Sequence, residues 1–168
     1  MKKIFLSVTL LLTMQYSFAQ FAYYQCEWTM VKRHDLFTGI FKISMNAAGK
    51  VKAEIVWTYL AIDSTSKDYM EMYSNKKGKS GIEYAKGNFS ASTNDIYFEG
   101  TKKEDAFIIL GLDKYHIKLA ANKLVIYGTS ETQGTNEGML YALKMSNTAG
   151  KKKFNAAKDA VKKQNHLN

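Results

Sequence analysis

Through most of residues 22–146, apolar and polar positions alternate with a period of two. That is the spacing of a strand with one dry and one wet face, not of a helix. Val51, Ala53, Ile55, Trp57 and Tyr59 interleave with Lys52, Glu54, Val56 and Thr58. Phe37, Gly39, Phe41, Ile43 and Met45 interleave with Thr38, Ile40, Lys42 and Ser44. Tyr24, Cys26, Trp28 and Met30 alternate with Gln25, Glu27 and Thr29, and Tyr115, Ile117 and Leu119 with Lys114, His116 and Lys118. The pattern predicts eight strands, at 23–32, 37–46, 50–61, 81–91, 96–100, 113–120, 123–130 and 138–145.

Turn-forming residues at 46–49, 92–95, 121–122 and 133–136 punctuate these runs. Short turns between successive strands make an antiparallel meander. Eight antiparallel strands in a short chain close on themselves, because closure removes the unpaired edges that template aggregation. The expected fold is therefore all-β, an antiparallel up-and-down eight-stranded barrel. Its interior has room to be packed shut or to hold one small ligand.

Two segments interrupt the period. Thr65 followed by Asp68 is a capping-box start, and Tyr69 and Tyr73 are spaced by four. This predicts a short helix before strand four, lying over a barrel mouth. Residues 106–112 form a continuous apolar run, either a ninth strand or a plug.

The ends of the chain change the picture. Lys2 and Lys3, an apolar stretch over 4–14 and the small residues Ser17 and Ala19 read as an export signal over residues 1–19. The remainder is one domain's worth of chain, a barrel over 20–149 and a tail over 150–168. No window is long and apolar enough for a transmembrane helix, so the expected destination is the periplasm or the medium. The lone Cys26 excludes an internal disulfide and reads as a buried small hydrophobe.

The formal charge of +9 is unevenly spread. Residues 20–149 hold sixteen basic and fourteen acidic groups, whereas the tail holds six lysines against Asp159. A nearly neutral body argues against nucleic acid as a partner. In the tail, Phe154, Ala157 and Val161 share one helical face with lysines around it. The readings are a basic helix on an anionic surface or protein partner, a solvated tail that frays, or a tail docked on the barrel through Phe154.

Trp28 in the first strand, the segments Tyr84-Ala85-Lys86-Gly87-Asn88-Phe89 and Tyr127-Gly128-Thr129, and the eight-strand meander together resemble calycin-type barrels, the lipocalin-like and avidin-like proteins. The resemblance implies capture of a small molecule without chemistry.

Motifs of catalysis are incomplete. Lys76-Lys77-Gly78-Lys79-Ser80 approaches a phosphate-binding loop, but Tyr73 stands where its first glycine belongs and no βαβ setting surrounds it. Ser64-Thr65-Ser66-Lys67 lacks the companion motifs of penicillin-recognising enzymes. His34, His116 and His166 form no metal-ligand spacing, and neither a metal nor a cofactor is expected. Glu83, Glu99, Asp113, Glu131 and Glu137 lie on or beside strands and read as solvated partners of cross-strand lysines. An enzyme would need a cluster of perturbed carboxylates or an inward His116.

The inward aromatics carry the stronger signal. Trp28, Phe41, Trp57, Tyr59, Tyr84, Tyr115 and Tyr141 are expected to share the interior, as a packed core or as the wall of a cavity. Buried tyrosine hydroxyls need partners, which favours a polar-lined cavity at one end. The expected function is an exported, non-catalytic, lipocalin-like protein holding a small apolar or aromatic ligand. The alternative is an envelope or secreted interaction or inhibitor protein that uses its loops and lysine-rich tail on a packed barrel.

Overall fold

A computed structural model describes residues 21–31, 35–62, 74–132 and 136–166. Its eight strands are β1 (Phe21–Met30), β2 (Asp35–Met45), β3 (Lys50–Ile62), β4 (Ser80–Ser90), β5 (Asp95–Glu104), β6 (Asp113–Leu119), β7 (Val125–Thr132) and β8 (Asn136–Lys144), followed by one helix, α1 (Asn147–His166). Each strand pairs antiparallel with the next, and β8 returns to β1 to close the barrel. The closing register runs from Tyr24 opposite Lys144 to Met30 opposite Gly138. Closure leaves no strand of the sheet as an edge strand.

The alternation is cleanest in β6, where Asp113, Tyr115, Ile117 and Leu119 are buried and Lys114, His116 and Lys118 are exposed. The interior is one continuous core of inward side chains from all eight strands. A second, smaller core lies outside the barrel. There Phe154 and Val161 of α1 pack on Tyr23, Ile40, Val56 and Ile82, outward residues of β1 to β4. Burying side chains of this size stabilises by about 1.5–3 kcal/mol each.

The docked tail is the arrangement seen, not the fraying one. Ser146 caps the helix by accepting from the Ala149 N–H through Oγ at 3.3 Å. Gly150 is required because a Cβ there would run into the Tyr23 ring. Near the other end, the Gln164 amide both donates to the Ser80 carbonyl and accepts from the Ser80 N–H, as a neighbouring strand would. The helical turns expected at 65–73 lie outside the described residues, as do the export signal and His34. No described helix is long and apolar enough to cross a membrane.

The run at 106–112 is not a ninth strand. Residues 105–112 connect β5 to β6 without regular structure. Lys103 Nζ donates to the Leu110 carbonyl, Leu110 N–H to Asp105 Oδ2 at 2.7 Å, and Lys76 Nζ to the Ile108 carbonyl at 3.2 Å.

Candidate functional site

The mouth of the barrel is built by the end of β1, the start of β2, the end of β3 and the start of β4, with β5 to β8 completing the ring. A cavity of about 190 Å³ lies here, lined by Trp28, Phe37, Trp57, Tyr59, Tyr115 and the 108–111 stretch, with Asp35, Glu83 and Asp113 among them. This is smaller than the roughly 300 Å³ at which drug-sized pockets begin. It suits a ligand of about one ring.

Glu83 is the centre of the polar wall. It is only 2 % exposed, in a barrel otherwise floored by apolar side chains. Its Oε2 accepts from the Tyr115 hydroxyl at 2.6 Å and from the Trp57 indole N–H at 3.2 Å. Its Oε1 accepts from the Asp113 main-chain N–H at 3.2 Å. Gly100 of β5 makes the space, since a Cβ there would stand 2.5 Å from Oε1. Burial pushes the Glu83 carboxyl up to about 7, aided by the charge of Asp113, and the hydrogen bonds from Tyr115, Asp113 N–H and Trp57 only partly offset this. Burial also raises Asp113, against hydrogen bonds from Thr132 and Ser130. Burial, with the Glu83 charge beside it, holds the Tyr115 hydroxyl well above its usual range, so it is a donor at neutral pH. Beside them the Trp28 indole N–H donates to Ser130 Oγ, and Tyr59 donates to Asp35 Oδ1 at 3.4 Å.

Of the aromatics expected inside, Trp28, Trp57, Tyr59 and Tyr115 line the cavity. Phe41 is inside but deeper, between Tyr24 and Phe98 in the packed part of the core. Tyr84 and Tyr141 are not in the interior. Tyr84 is on the outer face beneath α1, donating to Glu104 at 2.9 Å. Tyr141 is 50 % exposed on the outside of β8. Both errors are errors of phase, and a one-residue shift exchanges the two faces of a strand. In β4 the inward set is Gly81, Glu83 and Ala85, while Ile82 and Tyr84 face outward to meet the helix. In β8 both faces are apolar, and Gly138 faces in because a Cβ there would overlap the Trp28 indole.

The carboxylates divide. Glu99 lies on the outside opposite Lys86 and Lys114, and Glu131 opposite Lys114, as solvated cross-strand pairs. Glu83 and Asp113 are buried instead, and Asp35 joins them. A signal for Asp113 was present, since it falls in phase with Tyr115, Ile117 and Leu119. His116 faces out and stacks on Tyr97, ring centroids 4.1 Å apart. Cys26 is buried and its thiol is raised well above its usual range, first by burial, so it is held as the unreactive thiol.

The closed antiparallel barrel with its mouth cavity is consistent with a calycin-like fold. No family profile, curated protein or solved structure matches this chain. The geometry therefore carries the functional reading.

Proposed function

We propose that this chain is an exported, non-catalytic binding protein that takes one small apolar or aromatic molecule into the mouth of its barrel. The observation that carries the reading is the cavity of about 190 Å³ walled by Trp28, Phe37, Trp57, Tyr59 and Tyr115. Such a site is concave, with aromatic walls into which Asp35, Glu83, Asp113 and Thr132 are set to orient a ligand. Export is supported by the basic, apolar and small-residue order of residues 1–19. Because Trp28 and Trp57 are both in the wall, a bound molecule changes their fluorescence. Titrating a library of one-ring compounds tests this, and a library that leaves the emission unchanged at millimolar concentration removes the proposal.

A second reading, a protein or anionic-surface partner, is favoured by the exposed lysines 151–153, 162 and 163 on the outer side of α1. Deleting 150–168 would strip the cover from Tyr23, Ile40, Val56 and Ile82, so truncation confuses lost contacts with lost stability. Changing Lys152, Lys153, Lys162 and Lys163 to serine leaves the packed face intact. A partner captured by the parent protein and lost from that variant would support this reading.

A further inference from the structure

The cavity wall holds three carboxyl groups, Asp35, Glu83 and Asp113, and no cation among its described residues. Glu83 and Asp113 both line it, and no lysine, arginine or histidine is among the described lining residues. The groups that bond Glu83 and Asp113 are uncharged, namely Trp57, Tyr115, Thr132, Ser130 and the Asp113 main-chain N–H. Lys103, opposite Glu83 in the β4–β5 register, turns its ammonium to the Leu110 carbonyl and lies 3.9 Å from Asp105. A carboxylate out of water without a counter-ion is costly, and either a proton or a cation relieves the cost. The same space is surrounded by the rings of Trp28, Phe37 and Trp57, whose faces attract cations. Among the described residues no three of His, Cys, Asp or Glu are arranged around a metal. Aromatic walls suit an organic body.

Resting on the binding role proposed above, we infer that the ligand is a small protonated amine with an aromatic or apolar body, its ammonium held by Glu83 and Asp113 and its body against Trp28, Phe37 and Trp57. Proton and ammonium compete for the same two carboxyls, so binding near neutral pH releases a proton. The groups that share this setting are Asp35 on β2, Tyr59 on β3, Glu83 on β4, Lys103 on β5, and Asp113 and Tyr115 on β6.

The test titrates three molecules of one shape into the purified protein at pH 8, read by tryptophan fluorescence and calorimetry. They are 2-phenylethylamine, the neutral 2-phenylethanol and the anionic 3-phenylpropionate. The amine is expected to bind at least tenfold more tightly than the alcohol, with the anion weakest. At pH 7, heats measured in buffers of different ionisation enthalpy should show proton release. Glu83→Gln and Asp113→Asn should each weaken the amine at least tenfold and weaken the alcohol by less, so that the preference for the amine shrinks. If the alcohol equals the amine, or the anion exceeds it, the amine assignment is overturned while the binding cavity stands. If none of the three binds at millimolar concentration, both fall together. The comparison of the three molecules on the parent protein decides even if a variant fails to fold.

Discussion

At one end of the barrel Ile43, Val51, Ile96, Ile117 and Ile126 close on one another, all of them fully or almost fully buried. The connections there, 46–49, 91–94 and 120–124, are short. At the other end the same strands present Asp35, Glu83, Asp113 and Ser130 among aromatic rings, and the connections include 63–79 and 105–112. Long connections on a rigid scaffold are where binding sites are built. The difference separates two tasks. The aliphatic end supplies cohesion, and the mouth gives some of it up to hold polar groups out of water.

The largest expected effect is at the aliphatic side. Phe41 is fully buried between Tyr24 and Phe98, so Phe41→Ala should cost about 3–5 kcal/mol by lost transfer energy and a trapped cavity. Phe37 touches the rings of Trp28, Trp57 and Tyr59 but already borders open space. Phe37→Ala should cost less by about 1 kcal/mol or more, since the gap it leaves joins the existing cavity. Urea denaturation of both variants measures the difference. Equal losses would erase the division between the two ends.

The next effect is a dependence on pH that only the mouth should show. Glu83 titrates in the folded protein at about 7, above its ordinary value of 4.5. Between those values the folded state keeps a proton that the unfolded state has lost, so stability falls as pH rises. The contribution is full below pH 4.5 and gone above about 7, a change of about 3 kcal/mol at 1.36 kcal/mol per unit. Asp113, also raised by burial, acts in the same direction. On the outer wall Glu54 shows the opposite case. Burial raises it, but hydrogen bonds and charge from Lys158 and Lys42 outweigh this and hold it below its usual value. Its stabilisation is present above 4.5 and lost as pH falls through its lowered folded value. Glu83→Gln should flatten the fall between pH 4.5 and 7. A profile identical to the parent's would remove Glu83 from the account.

How much of this was legible in the sequence follows from which faces are dry. Where one face is buried and the other wet, as in β6, the period of two fixes strand, phase and inward residues together. All eight strands were legible as strands, but not all in their phase. Phase failed in β4, because α1 makes the outer face of Ile82 and Tyr84 as dry as the inner one. Glu83 then reads as a solvated residue although it is buried, as are Asp35 and Asp113. Phase failed in β8 because Met139, Tyr141 and Leu143 are apolar yet exposed. The informative residues there were the small ones. Gly138 and Gly100 face in because a ring and a carboxylate, respectively, occupy the space a side chain would need. That rule needs the partner strand, which no single segment shows.

Gly138 yields a prediction of intermediate size. Gly138→Ala forces the Trp28 indole from the wall it forms with Ser130, at about 1–3 kcal/mol for overpacking. The same shift alters the cavity, so ligand-induced fluorescence should change along with the urea midpoint. Stability lost with the fluorescence response intact would show that Trp28 packs the barrel without shaping the site.

The smallest effect is a gain, and it lies in the 105–112 connection. Ile108 has φ of 55°, a left-handed conformation that a β-branched residue tolerates poorly, and it is 74 % exposed. At the aliphatic end the corresponding turn positions are Gly49, Asn94 and Lys123; none of them is β-branched, so less strain is stored at each. Among the described residues, the β-branched residue held in this conformation is at the site border and not at the packed end. Ile108→Asn should relieve the strain, raising stability by about 1 kcal/mol, read as a higher urea midpoint at unchanged slope. A loss instead would mean that the Ile108 side chain contributes more by covering the cavity than its backbone costs. The mouth would then owe part of its cohesion to the same connection that lines the cavity.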